Sequence, residues 1–137
     1  RYYVEREDTE RNKFFTVAPY CFTSQRSFNE QIPATEYIAS IEPCDLYRMP
    51  QKTAIELLKL PAWNTFVRKL TQEVQFYTEN ILEELQNQTA EERYRQLLEQ
   101  ESALIQRLPL KHLASYLGIA PQSLSRIRKK IGPRTGS

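Results

Sequence analysis

The reading of the chain turns on Leu113-Ala114-Ser115-Tyr116-Leu117-Gly118-Ile119-Ala120-Pro121-Gln122-Ser123-Leu124-Ser125-Arg126-Ile127. Gly118 supplies the positive φ that a tight turn needs. Pro121 suits the first turn of a helix, which has no use for its missing N–H. Two short helices, 110–117 and 121–131, are therefore predicted around that turn. Ala114 is small enough to let the second helix cross close to the first, and the glycine stands four residues later. Leu113, Leu117, Ile119, Leu124 and Ile127 surround the pair with apolar side chains. These are the steric demands of a helix-turn-helix that lays its second helix in the DNA major groove. That helix exposes Gln122, Ser123, Ser125, Arg126, Lys129 and Lys130. Gln and Arg can read base edges bidentately, while Ser and Lys favour phosphates or adaptable contacts. Its start at Ala120-Pro121 has no Ser or Thr cap, which costs about 1 kcal/mol.

The charge distribution supports a polyanionic partner. The chain has 137 residues and a formal net charge of only +2. Residues 1–101 hold 12 of the 19 Lys and Arg and all 17 Asp and Glu, a net of −5. Residues 102–137 hold the other seven bases (Arg107, Lys111, Arg126, Arg128, Lys129, Lys130 and Arg134) and no acid. A segregated basic end suits nucleic acid, although a solvated basic tail has the same composition.

Upstream, Thr89-Ala90-Glu91-Glu92 is a capping box that opens a helix with an apolar face of Ala90, Tyr94, Leu97 and Leu98. Residues 89–131 form one helical unit on this reading. Residues 50–88 also read as helical, with Pro50 and Pro61 at first-turn positions. From Trp63 the apolar residues fall at Val67, Leu70, Val74, Tyr77 and Ile81, in steps of 4, 3, 4, 3, 4. That is a heptad seam, with Phe66 and Phe76 beside it. It suits a dimer interface along 61–88, and equally a helix packed only within its own chain.

Residues 1–49 read as β. Strands are expected at Tyr2–Val4, Phe14–Val17, Thr35–Ile41 and Asp45–Met49, with a polar turn at Glu7–Asn12. Four strands cannot close a barrel alone, so an antiparallel roll would be partial. The chain opens at Arg1, not Met, in strand-like sequence. We therefore expect a preceding segment that completes the roll. The tail 132–137 reads as irregular.

Hydrophobic residues make up 40% and charged residues 26%, ordinary for a folded protein. No apolar run reaches membrane-spanning length and no signal peptide is visible, so a cytoplasmic protein without membrane contact is expected. Cys21 and Cys44 are too few for a disulfide framework and lack metal-ligand spacing, so they are expected to be reduced, with no metal and no cofactor. His112 is the only histidine. No Ser-His-Asp set can be built on it, and neither phosphate-binding glycine motif is present. Glu83-Glu84 and Glu91-Glu92 read as a solvated face and a helix start. No enzyme is expected.

Several of these stretches together resemble a family. Glu91-Glu92-Arg93-Tyr94 with Leu97-Leu98, Gln106-Arg107-Leu108-Pro109, Leu113–Ile119 and Leu124-Ser125-Arg126-Ile127-Arg128-Lys129 look like the C-terminal domain of Crp/Fnr-type bacterial transcription regulators. The nearest likeness is to the Bacteroidetes-like branch, whose chain stops soon after the recognition helix. The resemblance is strong over 89–131 and collinear, though weaker, over 1–88. It implies an α+β fold: a partial antiparallel β-roll of the cyclic-nucleotide-binding type (1–60), a long dimerisation helix (61–88) and a C-terminal helix-turn-helix domain (89–131). It further implies a homodimer on two DNA half-sites that recruits or blocks RNA polymerase. By the same resemblance Pro121, Gln122 and Arg126 contact bases, with Ser123 and Ser125 near them. Lys111, Arg128, Lys129 and Lys130 are the expected phosphate contacts.

The chain departs from the family in three ways. Phe22–Phe28 through Pro33-Ala34-Thr35 lacks the Gly-Glu pair, and Ala34-Thr35 replaces Arg-Ser, so no cyclic-AMP binding is expected; Arg26 reads as an exposed loop residue. The oxygen-sensing cysteine cluster is not visible. No strand pair follows the recognition helix. The expected function is a dimeric, sequence-specific transcription regulator with an unknown small-molecule effector. The alternative is a ligand-sensing or protein-interaction module whose helix-turn-helix contacts a protein.

Overall fold

The computed structural model describes residues 1–132, so the tail expected over 132–137 lies outside the described residues from Pro133 onward. The chain runs β1 (Tyr2–Arg6), β2 (Thr9–Phe14), α1 (Gln25–Glu30), β3 (Tyr37–Ile38), α2 (Gln51–Leu57), α3 (Pro61–Asn87), α4 (Ala90–Gln100), α5 (Ser102–Arg107), α6 (Leu110–Leu117) and α7 (Pro121–Ile131). It is thus a mixed α and β protein. Among the described residues it has one small antiparallel sheet, of order β2-β1-β3, and seven helices, one of them long.

The elements with local signals form where those signals stand. Thr89 Oγ1 accepts from the Glu92 N–H at 3.3 Å, and the Glu92 carboxylate accepts from the Thr89 N–H at 2.7 Å, closing the capping box that starts α4. The helices α6 and α7 have the predicted bounds. The helical stretch 50–88 is divided at Leu58–Leu60. Pro61 has no N–H to continue a helix from α2 and instead begins α3. Trp63 Nε1 donates to the Ala54 carbonyl at 3.1 Å and ties the two helices together.

The N-terminal half corrects the sequence reading most. Among the described residues there are three strands rather than four. Glu7-Asn12 is not a turn: the chain reverses at Glu7 and Asp8 alone, both at positive φ, and β2 already begins at Thr9. Its inward positions are Glu10, Asn12 and Phe14, so two of three are polar and the apolar alternation that announces a strand is missing. The strand expected over Thr35–Ile41 shrinks to Tyr37–Ile38, which pair with Tyr3 and Tyr2. Asp45–Met49 forms no strand; it lies exposed between Pro43 and Pro50 with no neighbour to pair. Residues 25–30 are a helix, supported by an i,i+4 pair of Arg26 with Glu30 at 3.1 Å, so Arg26 is exposed on α1 rather than in a loop.

The core is C-terminal. The buried apolar side chains are Tyr94, Ile105, Leu108, Leu113, Ala114, Leu117 and Leu124. Phe15 and Ile41 reach that core from the N-terminal half, and β2 packs along α6. No helix of the described residues is long and apolar enough to cross a membrane.

Candidate nucleic-acid interface

The α6–α7 pair is built around one residue. Gly118 sits at φ 72°, with nothing within 4 Å of where a side chain would stand. The glycine is therefore needed for its backbone conformation, not for space. Ile119 N–H donates to the Ala114 carbonyl at 3.0 Å and Gly118 N–H to the Ser115 carbonyl at 3.2 Å. These two bonds satisfy the last carbonyls of α6 in the six-to-one and five-to-two pattern of a left-handed helix stop. The chain then re-enters helix at Pro121. Leu113, Ala114 and Leu124 are 0% exposed and Leu117 1%, so the two helices are locked by complete apolar burial. Fully burying one leucine contributes about 1.5–3 kcal/mol.

Arg93 completes the joint. It reaches from α4 to donate to the Leu117 carbonyl, placing a cation at the negative end of α6. The sequence reading assigned it no role beyond its place in a resembling motif. A basic residue one turn after a capping box was the available signal, and it does not say which carbonyl is reached.

With Leu124 facing inward, the helical period puts Gln122, Arg126 and Lys129 on the opposite side of α7. All three are exposed, as are Pro121, Lys130 and, on α6, Lys111. Ser123 and Ser125 flank this stripe and are half-buried. No Asp or Glu occurs on α6 or α7. Arg128, the remaining residue expected to contact phosphate, is half-buried. It stands one turn beyond Leu124 on the inward side, its guanidinium 5.8 Å from the centre of the Tyr94 ring and its Nε buried without a partner. Lys130 is shared: its Nζ lies 2.8 Å from Glu91 Oε2, and Arg95 pairs with Oε1 of the same carboxylate at 2.8 Å. These cations hold the Glu91 carboxyl below its ordinary range, Lys130 foremost.

The face of α6 away from the core meets the N-terminal half. His112 is half-buried, with Nδ1 at 3.3 Å from Arg1 Nη1 and 3.4 Å from Asn12 Nδ2. Both neighbours are donors, so the ring is neutral with Nδ1 as acceptor. Burial lowers its pKa, and the charges of Arg1 and Lys111 add to the effect. Tyr116 packs at a tilt against Phe15, with ring centroids 5.5 Å apart, and shares a 3.1 Å hydrogen bond with Tyr77 of α3.

The proposed seam on α3 divides in two. Tyr77 packs edge-on against Phe14 at 4.8 Å, and Trp63 is tied to α2, so both have partners in their own chain. Val67, Leu70, Val74 and Ile81 are only half-buried, and all 27 residues of α3 keep part of their surface exposed. The spacing of the seam next falls on Glu84, so it ends at Ile81, and Leu85 beside it is 56% exposed.

Among the described residues no group of three or more His, Cys, Asp or Glu is placed to hold a metal ion, and Cys21 and Cys44 are exposed thiols. No protein-family model, curated protein or solved structure matches the chain.

Proposed function

We propose that the chain is a sequence-specific DNA-binding transcription regulator that works as a homodimer. The observation that carries this reading is the acid-free stripe Gln122, Arg126 and Lys129 on a helix whose opposite side, Leu124, is fully buried against α6. Such a helix is fixed by its buried side and offers cations and neutral polar groups, with no carboxylate, outward. In a major groove Arg126 can pair with guanine O6 and N7, and Gln122 with adenine N6 and N7. Pro121, Ser123 and Ser125 bound that contact. Lys111, Lys129 and Lys130 then supply phosphate contacts, with Lys130 exchanging Glu91 for a phosphate.

The unpaired part of the α3 seam supports the dimer. A second copy seated on Val67, Leu70, Val74 and Ile81 gives two recognition helices related by a two-fold axis. The operator is then roughly palindromic, with half-sites about 34 Å apart. Residues 1–60 take the part of an effector-sensing region without cyclic-nucleotide binding, and RNA polymerase is the downstream partner.

Selection of bound duplexes from a random DNA pool tests this, followed by anisotropy titrations of the winner at several salt concentrations. A palindromic winner is expected, with log affinity falling by about 0.9 per phosphate contact for each decade of salt. Arg126→Ala should cost about 1–3 kcal/mol and relax preference at one base pair. If nothing is enriched and a protein partner binds without salt dependence, the helix pair serves protein recognition and this reading fails.

A further inference from the structure

The β1–β2 hairpin is attached to the DNA-facing unit by a mainly polar contact, with Phe15, directly after β2, its apolar part against Tyr116. Asn12 is only 6% exposed. Its backbone N–H donates to Ser115 Oγ at 3.0 Å, and Ser115 Oγ donates to the Glu10 carbonyl at 2.8 Å. Asn12 Nδ2 donates to the His112 carbonyl at 3.1 Å. Arg1 Nη1 donates to Asn12 Oδ1 at 3.1 Å and to Glu10 Oε2 at 2.6 Å. Ser115 stands one helical turn after Lys111, so the hairpin lies against the row of α6 that carries this exposed lysine. Glu10 senses that charge: its carboxyl is held low first by the Arg1 hydrogen bond, with Lys111 and His112 adding to it. The same hairpin carries Glu5, Glu7 and Asp8 around its turn.

We propose that the β1–β2 hairpin is an autoinhibitory clasp. Docked on α6, it holds its carboxylates beside the path that the DNA backbone takes past Lys111, and it has to lift away for full-strength binding. This rests on the DNA-binding reading above. The clasp is suited to opening because hydrogen bonds that water can replace dominate it. Each such bond contributes little net stability, whereas the α6–α7 joint is held by fully buried leucines. It opposes DNA by charge, since a carboxylate roughly 10 Å from a phosphate in water weakens binding about twofold, less as salt screens it.

Two variants of the whole chain separate charge from docking. Glu7→Asn with Asp8→Gly removes two carboxylates and places at the positive-φ turn the residues that favour it, so the hairpin stays formed. Asn12→Ala with Ser115→Ala removes the docking bonds. The probes are amide hydrogen exchange over residues 9–14 and anisotropy on the duplex selected by the wild-type chain. The turn variant should bind about fourfold tighter at low salt, with no difference at high salt and no faster exchange. The docking variant should exchange faster and also bind tighter. A docking variant that exchanges faster yet binds no tighter overturns the clasp, and so does a turn variant with unchanged affinity at low salt. Failure of the DNA reading looks different: neither the wild-type chain nor the released variant enriches any duplex, and the clasp falls with it.

Discussion

Leu124 on α7 and Leu70 on α3 both hold places in regular apolar patterns, yet the first is 0% exposed and the second only half-buried. The helices α6 and α7 cover one another, because Gly118 folds one back onto the other, and Tyr94, Ile105 and Leu108 close the core around them. The long helix has no such reversal. It touches its own chain at Trp63 and Tyr77 and leaves Val67, Leu70, Val74 and Ile81 half-covered. Periodicity tells which side chains share a face. What covers that face depends on how the chain turns, or on a second chain.

The sharpest way to break this comparison is to charge the seam. Leu70→Glu with Val74→Glu should convert a dimer to a monomer in sedimentation and reduce operator affinity by orders of magnitude. The thermal unfolding of the α4–α7 unit should barely change, since those side chains touch none of its core. A dimer that persists would mean that the half-covered face serves its own chain.

Next in size, Leu124→Ala should lower unfolding free energy by about 2–5 kcal/mol in urea titration, the usual cost of emptying a tight leucine site. Leu85→Ala, studied at concentrations where the chain is monomeric, should cost under about 0.5 kcal/mol. Equal losses at the two sites would show that α3 is covered in the monomer.

The smallest effect expected is on the docked hairpin. The His112 imidazole titrates below its ordinary value of about 6.5 while docked, chiefly through burial, and at the ordinary value once released. Above about pH 7 both forms are neutral and docking is at full strength. As pH falls below about 6.5 the released form takes up its proton first, so docking weakens until the docked form is protonated too. Arg1 and Lys111 oppose the added charge, and Glu10 partly offsets them. The protection of the β2 amides, the ratio of intrinsic to observed exchange rate, should therefore fall between pH 7.5 and 5.5, and His112→Gln should abolish that fall.

The site was far more legible than the sheet. Gly118, Pro121 and the Thr89 capping box act through backbone geometry within a few residues, so α4 and α7 begin, and α6 ends, where those residues stand. A basic composition does not distinguish an outward arginine from one, such as Arg128, whose guanidinium lies beside the Tyr94 ring. β2 was misread because Glu10 and Asn12 turn inward, an arrangement stable only with the polar groups of α6 opposite them. Asp45–Met49 has a strand's composition and no strand to pair with.

By itself, then, the sequence determined α4, α6 and α7, though not α5, and the charge of the outer face of the last helices. Both follow from residue identities and interactions within a turn or two of helix, whose energies do not depend on distant residues. Only the tertiary structure decided which cations point outward, where Tyr77 and Arg93 attach, and that a polar hairpin docks on α6. Those contacts join residues up to a hundred positions apart, through hydrogen bonds with no signature in local composition.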